Sequence, residues 1–480
     1  MTVEMKAETM QMAEEKVVEQ VCNEKDRACE SKVVEKINSY REESNFMSDL
    51  KQHERKALDE LKSKLEEAIS GSTLFDKEGE KKVADVPTGE ELQEKEKPSG
   101  ENEEDCEEEK ENGYEGTEEK PNECAKTPES DANIEVAKDI SIWGVPLLPS
   151  KGDDRTDVVL LKFLRARDFK VDDAFQMLQK TLQWRIEFKI DSILDEEFGS
   201  DLTSAAYQSG IDSQGHPICY NIFGVLDNEE IYQKTLTTEE KREQFLRWRV
   251  QLMEKGIQKL NFKPGGVSSF VQLNDLKNSP GPSKKEVRSV VRKTVALLQD
   301  NYPEFVAKSI FVNVPFWYYA FHSLISPFLT QRSKSKLVFA RPSKVTETLL
   351  KYIPIQEIPI QYGGMKRESK LDDEVSELLI RVGSTTSFEI PIPEAGTGIT
   401  WDILVLGWEV NCTVEFVPDN ENSYTLIIQK ERKMCSEEPP FHGTFKNKEP
   451  GKIAITIGNT SGKKKKVFYF YSYILKNSNS

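Results

Sequence analysis

The sequence predicts an α/β lobe with a mainly parallel sheet, preceded by a small helical unit, followed by an all-β sandwich, and set behind an acidic N-terminal tail. Three observations predict this order. Strand-like and helix-like runs alternate between about residues 212 and 340, which implies parallel strands joined by right-handed crossovers. From about residue 371 the texture changes to short alternating runs separated by Pro, Gly and Asn clusters, as in an antiparallel sandwich. Residues 1–140 hold 41 acidic and 21 basic side chains, net −20, leaving net +3 for the rest. The overall −17 therefore describes a tail rather than a repellent folded body, and it leaves an anionic lipid open as partner.

Only 37% of the 480 residues are hydrophobic and 31% are charged, so part of the chain should not pack. Residues 1–43 and 71–138 are rich in Glu and Lys and almost free of aromatics. They cannot bury enough apolar surface to offset the entropy of ordering, and are read as disordered. Between them Leu50, Leu58, Leu61, Leu65, Ala68 and Ile69 recur at helical spacing over residues 48–69, with Ser48 as a candidate cap. That helix reads as solvated and marginal, or as one that docks on a partner or a membrane.

Order is expected from residue 140, where Ile142, Trp143, Val145, Leu147 and Leu148 arrive together. Residues 157–166 and 171–188 follow as two amphipathic helices, the first with Val159, Leu160, Phe163 and Leu164 on its apolar side. In the next lobe residues 212–217 read as a polar turn. Residues 218–223, 268–273, 309–314 and 337–339 read as strands, and 239–260 and 284–298 as helices.

The chain is arranged around residues 299–340. The β-branched and aromatic run 309–314, closed by Pro315, suits a strand buried on both faces. Pro315 and Pro327 then bracket residues 316–329, which carry Phe316, Trp317, Tyr319, Phe321, Leu324 and Phe328 on more than one helical face. Such a helix is buried on several sides or touches something other than water. The nineteen residues 311–329 hold no Asp, Glu, Lys or Arg, yet the prolines split them into pieces too short to cross a bilayer. Glu304 upstream and Arg332, Ser333, Lys334 and Lys336 downstream give an apolar wall a charged rim, as an amphiphile requires.

At these residues the chain resembles the CRAL-TRIO lipid-binding family. The matching text is Tyr302-Pro303-Glu304, Asn313-Val314-Pro315, Pro327-Phe328-Leu329, Ser335-Lys336 and Tyr362-Gly363-Gly364, together with LLKFLRARDFKVDDAF and Trp184-Arg185 upstream. Trp401, Val405 and Trp408, the stretch 411–418 and the closing FYFYSYIL resemble a GOLD domain. That order behind an acidic tail resembles the plant patellins. The resemblance implies a tail over 1–139, a CRAL-TRIO helical unit over 140–199, a CRAL-TRIO lobe with an apolar gate helix over 200–368, and a GOLD sandwich over 369–477. It further implies a non-enzymatic carrier of phosphoinositide or another amphiphilic lipid, cytoplasmic and reversibly membrane-associated, serving membrane traffic including the cell plate at cytokinesis. The alternative it leaves open is a lipid-sensing adaptor whose GOLD domain and tail recruit trafficking proteins.

Within that resemblance Lys336 and Arg167 suit a lipid phosphate, Ser333 suits donation, and Glu304 suits an inositol hydroxyl or the orientation of Lys336. Asp168 stands where the family usually carries a lysine. The gate and pocket wall are Phe316, Trp317, Tyr319, Phe321, Leu324 and Phe328. Lys463, Lys464, Lys465 and Lys466 form the densest basic run, read either as a solvated hairpin loop or as a foot on an anionic membrane.

Other classes find little support. Residues 458–464 have the wrong glycine spacing and no following helix for a phosphate loop, and no nucleophile elbow appears. The four histidines are far apart, which argues against a metal site, and no cofactor is expected. Seven scattered cysteines without a CxxC pair read as reduced cytosolic thiols. Residues 1–10 lack the apolar core of a secretory signal. Nucleic acid is not an expected partner.

Overall fold

The computed structural model describes residues 43–75, 140–280, 284–315, 334–367, 375–407, 409–435 and 438–474. Its first helix, α1 (Gln52–Ser70), buries Leu58, Leu61, Leu65 and Ile69. These pack in one cluster with Val158, Phe163 and Leu178 of α2 (Asp154–Ala166) and α3 (Val171–Glu187). Lys62 reaches Asp157 at 2.8 Å and Lys64 reaches Asp172 at 2.6 Å across the same junctions. Arg165 of α2 donates to Asn45 Oδ1 and to Ser44 O, both at 2.6 Å, and so pins the segment leading into α1. The expectation of a solvated or partner-docking helix is corrected here. Its apolar stripe covers two helices of its own chain, an intramolecular alternative that periodicity cannot distinguish from an external one.

A two-stranded ribbon, β1 (Ser141–Ile142) with β2 (Val145–Pro146), leads into α2. The lobe beyond is a five-stranded sheet in the order β3 (Ala206–Ile211), β4 (Pro217–Ile222), β5 (Phe270–Asp275), β6 (Val306–Val312), β7 (Leu337–Phe339). β3 is antiparallel to β4, and the remaining pairs are parallel. The crossovers carry α4 (Glu229–Thr235), α5 (Glu239–Ile257) and α6 (Lys285–Asn301). The polar turn before β4 is closed by Asp212, whose Oδ1 accepts the N–H groups of Gln214 and His216, each at 2.8 Å.

Because side chains alternate across a strand, the sheet has two unlike faces. Ile218, Tyr220, Val271, Leu273, Ile310 and Val312 point to a largely apolar side. There they meet Val345 and Leu349 of α7 (Val345–Leu349), and then Ile353, Ile358 and Tyr362. Register aligns Cys219, Gln272, Ser309 and Leu337 in one row and Asn221, Asn274, Phe311 and Phe339 in the next, all on the opposite side.

The C-terminal part is a sandwich of two antiparallel four-stranded sheets. One has the order β13 (Phe441–Lys446), β10 (Gly398–Leu406), β15 (Lys465–Ile474), β8 (Ser376–Ile380). The other has the order β12 (Leu426–Met434), β11 (Val410–Pro418), β14 (Gly451–Gly458), β9 (Thr385–Ile392). Trp401, Ile403, Val405 and Val467 face the sandwich interior. Leu404, Phe468 and Phe470 face outward and are buried against the apolar side of the lobe's sheet. One sandwich sheet is thus covered on both faces. Gly443 explains why β13 tolerates a glycine: a Cβ there would lie 2.2 Å from the Trp401 ring.

Candidate functional site

The turn before β6 is held from below by the helical unit. Tyr302 and Phe305 are buried in an aromatic cluster around Trp143, whose ring centroid lies 4.6 Å from that of Phe305 and 5.9 Å from that of Phe163. Lys162 of α2, almost fully buried, donates to Ser268 O at 2.7 Å and to Glu304 O at 2.9 Å, and sits 4.3 Å over the Phe305 ring. Between the two anchored aromatics Glu304 adopts φ +55°, a left-handed conformation that costs a non-glycine residue about 1 kcal/mol or more. Its carboxylate accepts from Lys336 Nζ at 2.6 Å, with both side chains mostly shielded from solvent. Lys336 is placed by sheet register, since Ser309 N donates to Lys336 O at 2.9 Å beside the start of β7.

The structure therefore brings Glu304 and Lys336 together, thirty-two residues apart in sequence. It does not bring Arg167 to them. That guanidinium caps the end of α2, donates to the adjacent Ala166 O at 3.2 Å, and makes no hydrogen bond or ion pair with either partner. Arg167 sits instead in the α2–α3 turn. Asp168, exposed at φ +50°, stands at a left-handed position that Asp tolerates better than most residues. Ser333 and the gate residues Phe316, Trp317, Tyr319, Phe321, Leu324 and Phe328 lie outside the described residues.

The basic run divides. Lys463 and Lys464 are exposed in the β14–β15 loop, and Lys466 pairs with Glu377 at 2.7 Å. Lys465 is only 1% exposed. As the first residue of β15 it points inward, and burial together with the nearby Lys463 pulls its pKa down. It is corrected from a surface lysine to a core one, because strand alternation begins inside the run. The loop is fixed by Asn459, whose amide donates to Arg381 O at 3.0 Å and to Lys463 O at 2.8 Å.

Sequence reasoning missed the polar row on the side of the sheet that α5 covers. Asn221 Nδ2 donates to Asn274 Oδ1 and Asn274 Nδ2 to Ser309 Oγ, each at 2.9 Å, and all three side chains are buried. The available signal was the period of two: Cys219 and Asn221, and Gln272 and Asn274, recur within strands that otherwise read as buried.

A mixed sheet with one apolar and one polar side, a helical unit buttressing the Glu304 turn, and a sandwich on its back define the CRAL-TRIO class with a GOLD domain appended. Three family models match the chain: "CRAL/TRIO, N-terminal domain" over residues 57–180, "CRAL/TRIO domain" over 203–364, and "Patellin-1-like, C-terminal GOLD domain" over 381–466. The chain belongs to the patellin family. It is 49% identical to Patellin-4 of Arabidopsis thaliana, over 95% of this chain and 93% of that one. It is 41% identical to Patellin-3 of the same plant, over 97% and 83%. A phosphatidylinositol transfer protein, SFH5 of Kluyveromyces lactis, is 28% identical over 50% of this chain and 80% of its own. A crystal structure of Sfh5 aligns at 25% identity with a TM-score of 0.37, covering 43% of this chain and 74% of that one. The first helical match begins inside α1, in keeping with the packing of that helix on α2 and α3.

Proposed function

We propose that this chain is a non-enzymatic lipid carrier that takes up phosphoinositide or a related amphiphile and transfers or presents it at membranes. The observation that carries the reading is the shielded Glu304–Lys336 pair at the strand-start edge of a sheet face that is polar at one end and aromatic at the other. Lys336 supplies a phosphate contact and Glu304 orients it or accepts from a sugar hydroxyl. Relatives named as phosphatidylinositol transfer proteins support the lipid class. A methylene is worth about 0.8 kcal/mol out of water, so an apolar protein face makes exchange from a bilayer close to neutral, and the polar contacts select the headgroup. Among the described residues no helix is long and apolar enough to cross a membrane, and exposed Lys463 and Lys464 support reversible contact with an anionic surface. Service in membrane traffic, including the partition built at cytokinesis, follows from the family resemblance.

The test is native mass spectrometry with lipid extraction on the full chain after incubation with mixed membranes, comparing wild type with Lys336→Ala. An inositol lipid present in wild type and lost in the variant supports the assigned site. A different lipid, retained by the variant, removes that site. A chain that binds vesicles while empty replaces the carrier with the lipid-sensing adaptor.

A further inference from the structure

Arg249 lies on α5, two helical turns before Gly256 and hence on the same side of the helix. Gly256 is where α5 presses on the sheet: a Cβ there would stand 2.3 Å from Gln208 Nε2 and 3.0 Å from the Phe270 ring. This close approach lays Arg249 over the polar side of the sheet. There its Nη2 donates to Asn221 Oδ1 at 2.8 Å, extending the row through Asn274 to Ser309. Among the described residues no carboxylate pairs with Arg249, and its other contact is the neighbouring Trp248 ring at 5.6 Å. Burial pulls the Arg249 pKa down and pushes the Cys219 thiol up, Arg249 partly offsetting the latter. A guanidinium is nonetheless charged at any physiological pH. Half-buried and with one neutral protein partner, the guanidinium keeps most of its five donors open to water or to an acceptor that displaces it.

Two further features point to what accepts them. Gln272, register partner of Cys219 on the same side, is half-buried, and its amide has no protein partner among the described residues. Across β6 and β7 the same face turns apolar, with Phe311 stacked on Phe339 at 5.3 Å and Leu337 in the row alongside. The face is amphiphilic. Its polar end lies on β4 and β5, two to three strands across the sheet from Lys336, about 10–15 Å at the spacing of neighbouring strands.

We propose that Arg249 and Gln272 receive the anionic headgroup, carboxylate or phosphate, of an amphiphile whose apolar part runs along Phe311, Phe339 and Leu337. This rests on the carrier reading but adds a contact independent of the Glu304–Lys336 pair. An isolated oxyanion would use the polar end alone, whereas the apolar half of the face favours an ion attached to a chain.

The experiment measures affinities of the delipidated full chain for oleate, oleyl alcohol, dioleoyl phosphatidic acid presented in phosphatidylcholine vesicles, and inorganic phosphate. The variants are Arg249→Met, Arg249→Lys and Gln272→Leu, with Lys336→Ala as control. Arg249→Met is expected to weaken oleate or phosphatidic acid at least about tenfold, as loss of a charge-assisted hydrogen bond would. Arg249→Lys should stay within about threefold, Gln272→Leu should weaken the same ligand about threefold or more, and oleyl alcohol should be unchanged. Whichever anionic amphiphile responds identifies the headgroup. Equal losses for oleyl alcohol, no loss for either anionic amphiphile, or inorganic phosphate binding with the same Arg249 dependence would each overturn the proposal. Should Arg249→Met fail to fold, the Gln272→Leu contrast between oleate and oleyl alcohol decides. A wild type that takes up no lipid defeats the carrier reading itself. Uptake abolished by Lys336→Ala but untouched by Arg249→Met defeats only this inference.

Discussion

The Arg185 guanidinium and the Tyr302 hydroxyl donate to the same oxygen, Oε1 of Glu254, each at 2.6 Å. Arg185 and Glu254 are about nine-tenths buried, and both burial and the Glu254 charge push the Tyr302 pKa well up. Removing one member of such a pair strands the other. Glu254→Ala should therefore cost about 3–5 kcal/mol and Tyr302→Phe about 1–2 kcal/mol, read from urea midpoints at unchanged slope. Since Tyr302 opens the turn that carries Glu304, Tyr302→Phe should also lower lipid occupancy, by less than Lys336→Ala does.

The burial of α1 makes a sharper demand. Leu61, with no exposed surface, should lose about 2–5 kcal/mol on change to Ala. A chain beginning at residue 140 should unfold at lower urea or lose its single transition, because Val158, Phe163 and Leu178 would face water. Equal midpoints for full and shortened chains would contradict this.

The basic loop separates charge from position. Lys463→Glu with Lys464→Glu should weaken partition onto phosphatidylserine vesicles by at least about tenfold, each lysine contributing about 1 kcal/mol, and most of the difference should vanish in high salt. Lys465→Met should leave partition unchanged. Vesicle sedimentation distinguishes the exposed pair from Lys465.

Acid sensitivity should localise at the turn before β4. Burial pushes the Asp212 carboxyl up, but the His216 ring at 3.0 Å and the backbone N–H groups of His216 and Gln214 outweigh it and hold the pKa below the usual range. A depressed carboxylate stabilises the fold above its unfolded pKa of about 3.9, and that contribution disappears as pH falls through the lower folded value. Asp212→Asn should thus be destabilised at pH 7 by about 1–3 kcal/mol, and the difference from wild type should shrink as pH falls below the ordinary carboxylate range. Urea titrations across that range provide the check.

Sequence pattern revealed what is locally patterned. The strand expected at residues 218–223 occupies Pro217–Ile222, and the helix expected from Glu239 ends at Ile257 rather than 260. β3, β8 and β13 were not read. AYQSGI, SELLI and FHGTFK lack sustained apolar alternation, and their extended form comes from partners: β4 for β3, β15 for β8, and β10 for β13. Tyr302-Pro303-Glu304 and Lys336 were legible as motif text, whereas their ion pair depends on β6–β7 register. Arg249 was invisible, since an arginine on a charged helix looks like surface until Gly256 fixes which side meets the sheet.

β15 begins with Lys465 at the basic loop and three residues later delivers Phe468 into the buried cluster on the apolar side of the lobe's sheet. That distance is about 10 Å of continuous strand, locked on both flanks by β10 and β8. The GOLD domain is thus a ruler rather than a tethered float. On the proposed carrier reading, a molecule resting on a bilayer through Lys463 and Lys464 would hold its cargo face at one height and one tilt, leaving residence time as the variable that governs delivery.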